Sequence, residues 1–134
     1  MSLAIHAYFL DEQKPTEEWA FNSITNLFSR SDGIKSNISA NPFTKKKFLK
    51  LTIDESYSVS VFFDSGQSVT EDLNFITKGE TSCSSRIRVL FGPDGENNFD
   101  EIKVIILDFL QDLENVLIYN ANQEKVIFNS CRRQ

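Results

Sequence analysis

The side chains of this chain that could do chemistry are few, and their spacing narrows what they could do. His6 is the single histidine, set inside the apolar stretch LAIHAYFL, residues 3 to 10. A serine nucleophile needs a base beside it. No Gly-x-Ser-x-Gly, phosphate-binding loop or dinucleotide fingerprint stands in the sequence. A lone histidine in an apolar run is expected to be a strand residue with its hydrogen bonds met. Asp108 and Asp112 stand one helical turn apart and could form an acid/base pair, yet nothing near them in sequence would desolvate one and raise its pKa. Asp94, Glu96, Asn98 and Asp100 alternate as calcium ligands do. An EF-hand, however, takes Gly at its sixth position and Glu at its twelfth, where this loop has Phe99 and Ile105. Cys83 and Cys131 match neither a zinc ligand set nor a redox pair, and are expected to be reduced thiols. The expectation is a binding protein, not an enzyme, with no metal and no cofactor.

Charge says more. The formal net charge is −5, and residues 92 to 114, GPDGENNFDEIKVIILDFLQDLE, hold seven acids and one base for −6. The other twelve acids and thirteen bases leave +1. One segment makes the chain acidic. Such a molecule is repelled by phosphate backbones and anionic bilayers, so neither nucleic acid nor membrane is an expected partner. The basic features are smaller. Thr44-Lys45-Lys46-Lys47 opens a strand, where edge lysines discourage sheet-to-sheet association. Arg86 and Arg88, with Phe62 and Phe75, lack the clustered aromatic motif of a nucleic-acid platform.

The elements that must position these groups follow from periodicity. At 134 residues, 40% of them apolar and twelve of them Phe, the chain is expected to form one domain, residues 1–134. Residues 3 to 10 suit a buried strand. Pro15 fits the first turn of a helix with Glu17 and Glu18 at its positive end, and Ala20, Ile24, Leu27 and Phe28 recur at helical spacing. From Ser31-Asp32-Gly33 through Asn41-Pro42 the chain reads as loop. Alternation from Lys46 and again from Tyr57 gives a hairpin, with Phe62 on a second, partly covered face. Ser68 to Glu71 has capping-box spacing for a short helix through Val69, Leu73 and Ile76 that stops at Gly79. Residues 85 to 91 alternate as a strand, and Asn98 is placed to cap the next helix.

In that helix Ile102, Ile106, Phe109, Leu110 and Leu113 form an apolar stripe, while Glu101, Asp108 and Asp112, seven and four apart, share another face. VLIYN and KVIFN close the chain as a hairpin. The expected class is α+β, a largely antiparallel sheet packed with two or three helices in the order β-α-β-β-α-β-α-β-β. The N-terminal stretch meets Asp11 and Glu12 too early for a signal peptide, and Asp108 cuts the longest apolar run, Val104 to Leu107. A cytoplasmic protein is expected.

Residues 86 to 120, RIRVLFGPDGENNFDEIKVIILDFLQDLENVLIYN, resemble the strand, acidic turn, acidic-faced helix and strand of small bacterial immunity proteins of polymorphic toxin systems, including those of contact-dependent growth inhibition. The resemblance implies a cytosolic inhibitor, monomeric when free, that binds a cognate toxin protein and blocks its active site. Many such toxins are nucleases with basic clefts, which an acidic inhibitor meets with fast association. The implied contact residues are Asp94, Glu96, Asp100, Glu101, Asp108 and Asp112, with Tyr119 as an aromatic anchor. The alternative partner class is a secreted effector for which the chain is an acidic chaperone. A third reading, a small enzyme, would depend on His6 or on a carboxylate pair.

Overall fold

Alternating apolar and polar residues build a sheet with two unlike faces, and this sheet dominates the molecule. A computed structural model of the chain describes residues 3–10, 15–30, 33–79, 83–94, 98–113 and 115–129. Its elements are β1 (Leu3–Leu10), α1 (Glu17–Leu27), β2 (Ile34–Ala40), β3 (Lys47–Ile53), β4 (Tyr57–Ser65), α2 (Gln67–Thr77), β5 (Cys83–Phe91), α3 (Asp100–Gln111), β6 (Val116–Asn120) and β7 (Lys125–Asn129). The strands form one antiparallel sheet in the order β2-β3-β4-β5-β1-β6-β7. The class is α+β. No helix among the described residues is long and apolar enough to cross a membrane.

β1 pairs along both edges, with β5 and β6, and is covered on both faces by apolar cores, which accounts for its nearly unbroken apolar sequence. Ile5, Ala7 and Phe9 point with Val59, Val61, Val89, Phe91 and Ile118 into the main core, which α1 fills with Ala20, Phe21 and Ile24 and α3 with Ile102, Ile106 and Leu110. Tyr8 and Leu10 point the other way. They join Leu117 under Val69 and Leu73 of α2 in a smaller core. α1 and α3 therefore share one face of the sheet, α1 against β4 and α3 against β6, while α2 covers part of the opposite face.

Four local expectations are corrected. Residues 34 to 40, expected as loop, are strand β2, paired without interruption from Ile34 opposite Ile53 to Ala40 opposite Lys47. As the sheet's edge, β2 lies mostly in solvent and needs no apolar face, so its composition looks like a loop. Pro15 precedes the first turn of α1; Thr16 is the N-cap, its Oγ1 accepting from the Trp19 N–H at 3.1 Å. The capping box at Ser68 is not used, because α2 starts earlier, after Gly66, and Glu71 instead accepts from Gln67 Nε2 at 2.9 Å. Asn98 does not cap α3; its neighbour Phe99 holds that position without a side-chain bond.

Candidate functional site

The acidic segment divides into acids that hold the structure and acids that face solvent. The Asp94 carboxylate accepts from the Asn98 N–H at 2.9 Å and the Phe99 N–H at 2.8 Å, with Lys103 Nζ at 3.5 Å. Its side chain is only 3% exposed. Desolvation opposes its charge, but the two N–H donors and Lys103 outweigh that and hold the carboxyl below the usual carboxylate range. Asp94 therefore secures the start of α3 and is not available as a contact residue. Asp100 is exposed and lies 3.4 Å from Lys103. The single base of the segment is thus shared by Asp94 and Asp100.

Glu101, Asp108 and Asp112 are exposed, as their seven- and four-residue spacing requires when Ile102, Ile106 and Leu110 are buried. None of the three enters an ion pair among the described residues. Val104 stands on the same side of the helix, 53% exposed. Trp19 of α1 packs edge-on to Phe9, with centroids 5.9 Å apart, and tilts over Phe109 of α3 at 6.3 Å, leaving 38% of its surface open. The structure thus places an aromatic shoulder beside the acidic face. The sequence signal for it was faint, a tryptophan at the margin of the α1 stripe, because its contact with Phe109 is made between helices.

Two implied site residues fall elsewhere. Glu96 lies outside the described residues. Tyr119 lies on the opposite side of the sheet from α3, packed against the α2 core and 6.3 Å from His6. One residue earlier, Ile118 faces the α3 side. Tyr119 is therefore not an anchor for the acidic face.

That second face of the sheet holds a charged cluster. Arg86 donates through Nε to Asp64 Oδ2 at 2.8 Å, and through Nη1 to Asp72 Oδ2 at 2.7 Å and to the Tyr8 hydroxyl at 3.2 Å. Arg88 also donates to both Asp64 oxygens, and Lys46 Nζ sits 2.9 Å from Asp64 Oδ1. Burial works against the Asp64 charge, yet hydrogen bonds from Arg88, Arg86 and Lys46 hold its carboxyl far below the usual range. The guanidinium of Arg88 stands 4.5 Å over Phe62, whose ring also stacks on Phe48 at 5.1 Å. With both neighbours in place, Phe62 has no free ring face for a base, and the two arginines are occupied by Asp64 and Asp72. A nucleic-acid platform finds no support in this arrangement.

Beside the cluster, His6, Tyr8, Asp72, Phe75, Ile76 and Tyr119 line an open cleft of about 180 Å³. Burial, then the charges of Arg86 and Arg88, push the His6 pKa down to about 4, so the imidazole is neutral at neutral pH. Its Nδ1 is buried and has no hydrogen-bond partner among the described residues, contrary to the expectation of a satisfied histidine. Among the described residues the lining includes no serine or cysteine that such a base could activate. Among the described residues no group of three His, Cys, Asp or Glu side chains could hold a metal ion. Cys83 lies in β5, and Cys131 is outside the described residues.

No family model, no curated protein and no solved structure matches this chain.

Proposed function

We propose that this protein is an immunity protein that neutralises a basic toxin domain by docking it on the outer face of α3. Glu101, Asp108 and Asp112 supply the charge, Asp100 extends it at the helix start, and Val104 with the Trp19–Phe109 pair supplies apolar contact. The observation that carries the reading is the contrast among the acids. The side chains of Asp64 and Asp94 are turned away from solvent and matched by cations or N–H donors, whereas Glu101, Asp108 and Asp112 stand together in solvent with no ion pair among the described residues. Such a face repels itself and gains from a positive partner, above all in association rate. An exposed tryptophan at its border is the residue type that most often dominates an interface.

The alternative, a chaperone for a secreted effector, requires an apolar groove long enough to hold a stretch of chain. The cleft beside Phe75 has about 180 Å³, room for one or two side chains, and this favours the inhibitor. The test is co-expression with the product of the neighbouring reading frame, which this reading requires to be a toxin. Wild type should restore growth and co-elute with the toxin, and Asp108→Lys/Asp112→Lys should do neither. Full protection by the double variant would remove α3 from the interface.

A further inference from the structure

The edge strand β2 leaves half of its backbone unused, and a cleft opens beside it. Among the described residues β2 pairs only with β3. At the two ends of that ladder the Asp54 N–H donates to the Gly33 carbonyl at 2.8 Å and the Asn41 N–H to the Lys46 carbonyl at 2.9 Å. In an antiparallel pair such bonded positions recur at every second residue. Gly33, Lys35, Asn37, Ser39 and Asn41 therefore turn their backbone groups towards β3. Ile34, Ser36, Ile38 and Ala40 turn theirs outward, where no partner stands among the described residues.

The side chains of the outward set share the sheet face of α1, because Ser36 and Ile38 stand opposite Leu51 and Leu49 of the main core. On that face Ile38, 52% exposed, and Phe21 line an open cleft of about 210 Å³ together with Glu17, Glu18, Asn22 and Lys47. Glu17, Glu18 and Lys47 enter no ion pair among the described residues, so the cleft holds two acids against one base. Unpaired N–H and C=O groups along a strand edge are a template for another extended chain, and a pocket beside the edge then selects alternate side chains of that chain.

We infer that β2 takes up an extended segment of a partner protein as a further strand, with an apolar side chain set on Ile38 and Phe21 and a basic side chain, two positions along, facing Glu17 and Glu18. The free backbone fixes the form of the occupant, and the cleft fixes its side chains. A second copy of this chain is the weaker occupant. Paired antiparallel, edge to edge, it would bring Ile34, Ser36, Ile38 and Ala40 over the cleft face, and none of these is basic. The inference does not rest on the α3 reading, since none of its residues belongs to α3.

The test is selection of a displayed library of random peptides on the immobilised full chain. Enriched peptides should carry Lys or Arg two positions from an apolar residue. Ser36→Pro removes an outward N–H and leaves the bonds to β3 in place. It should cut peptide binding at least about tenfold, as should Glu17→Gln/Glu18→Gln. N-methylation of an enriched synthetic peptide gives a readout that no loss of folding can mimic: methyl groups on one alternate set of backbone nitrogens should abolish binding, and on the set between should leave it intact. Asp108→Lys/Asp112→Lys should bind the same peptides as wild type, so failure of the α3 reading and failure of this one look different. No enrichment, equal effects of the two methylated sets, or loss of peptide binding in the α3 variant would overturn the inference. So would self-association that Ser36→Pro abolishes, since this assigns the edge to a second copy of the chain.

Discussion

Two buried tyrosines show how differently one hydroxyl can act. Tyr8 is 1% exposed and its hydroxyl accepts from Arg86, whereas Tyr57 is 3% exposed, stacks on Phe99 at 4.3 Å, and its hydroxyl has no partner among the described residues. Burial, then the charges of Asp94 and Asp100, push the Tyr57 phenol up to about 12. Removing an unmatched buried hydroxyl relieves desolvation, while removing a matched one strands its donor. Tyr57→Phe should therefore leave stability unchanged or raise it by about 1 kcal/mol, and Tyr8→Phe should lower it by about 1–3 kcal/mol, read from urea midpoints. The same scale sets the acid response. His6 has a folded pKa near 4 against 6.5 for the free side chain, so the unfolded chain binds a proton that the folded one refuses. Stability present above pH 6.5 is lost as pH falls towards 4. Asp64, held below its ordinary range, adds a loss at still lower pH. His6→Gln should flatten the first decline and leave the second; an unaltered curve between pH 6.5 and 4 would exclude His6 as its source. None of this was legible in sequence, because Tyr8 and Arg86 meet across 78 positions of chain.

At the scale of elements, legibility followed the contrast between buried and exposed faces. β1 could be read because both of its faces are core, and α3 because one side of it, its apolar stripe, is, and the geometry of Glu101, Asp108 and Asp112 came with that stripe. β2 could not be read, since an edge strand buries too little to impose a pattern. The cap of α3 was missed by one residue because Asp94 takes the N–H groups of Asn98 and Phe99, four and five residues on and just ahead of the helix, across a loop that a local capping pattern does not describe. Tyr119 was misplaced for a reason of parity: proximity to α3 along the chain says nothing about which sheet face a strand residue takes, and one step reverses it. The reading of α3 makes a paired prediction. Ile106 is 0% exposed, and Ile106→Ala should cost about 2–5 kcal/mol. Val104, two positions away and 53% exposed, should cost within about 0.5 kcal/mol as Val104→Ala. If Val104→Ala unfolds the protein as readily as Ile106→Ala, the helix is rotated from the orientation described and its acids do not form the outer face.

For the whole molecule the arrangement of charge matters more than its sum. Glu101, Asp108 and Asp112 stand together on one helical face, and a formal net charge of −5 says nothing of that grouping. If the toxin approaches the α3 face, its association rate depends on the local potential there and only weakly on net charge. Asp108→Lys/Asp112→Lys changes the formal net charge from −5 to −1. Glu55→Lys/Glu124→Lys, in the exposed turns after β3 and β6, makes the same change at positions outside α3. Measured against the toxin at low ionic strength, the α3 pair should lose at least about tenfold in association rate, and the turn pair should lose much less. The two should converge near 1 M salt, where screening confines charge interactions to about 3 Å. Equal losses would mean that the toxin senses only the total charge, and the unpaired acids of α3 would then be an ordinary solvated helix face.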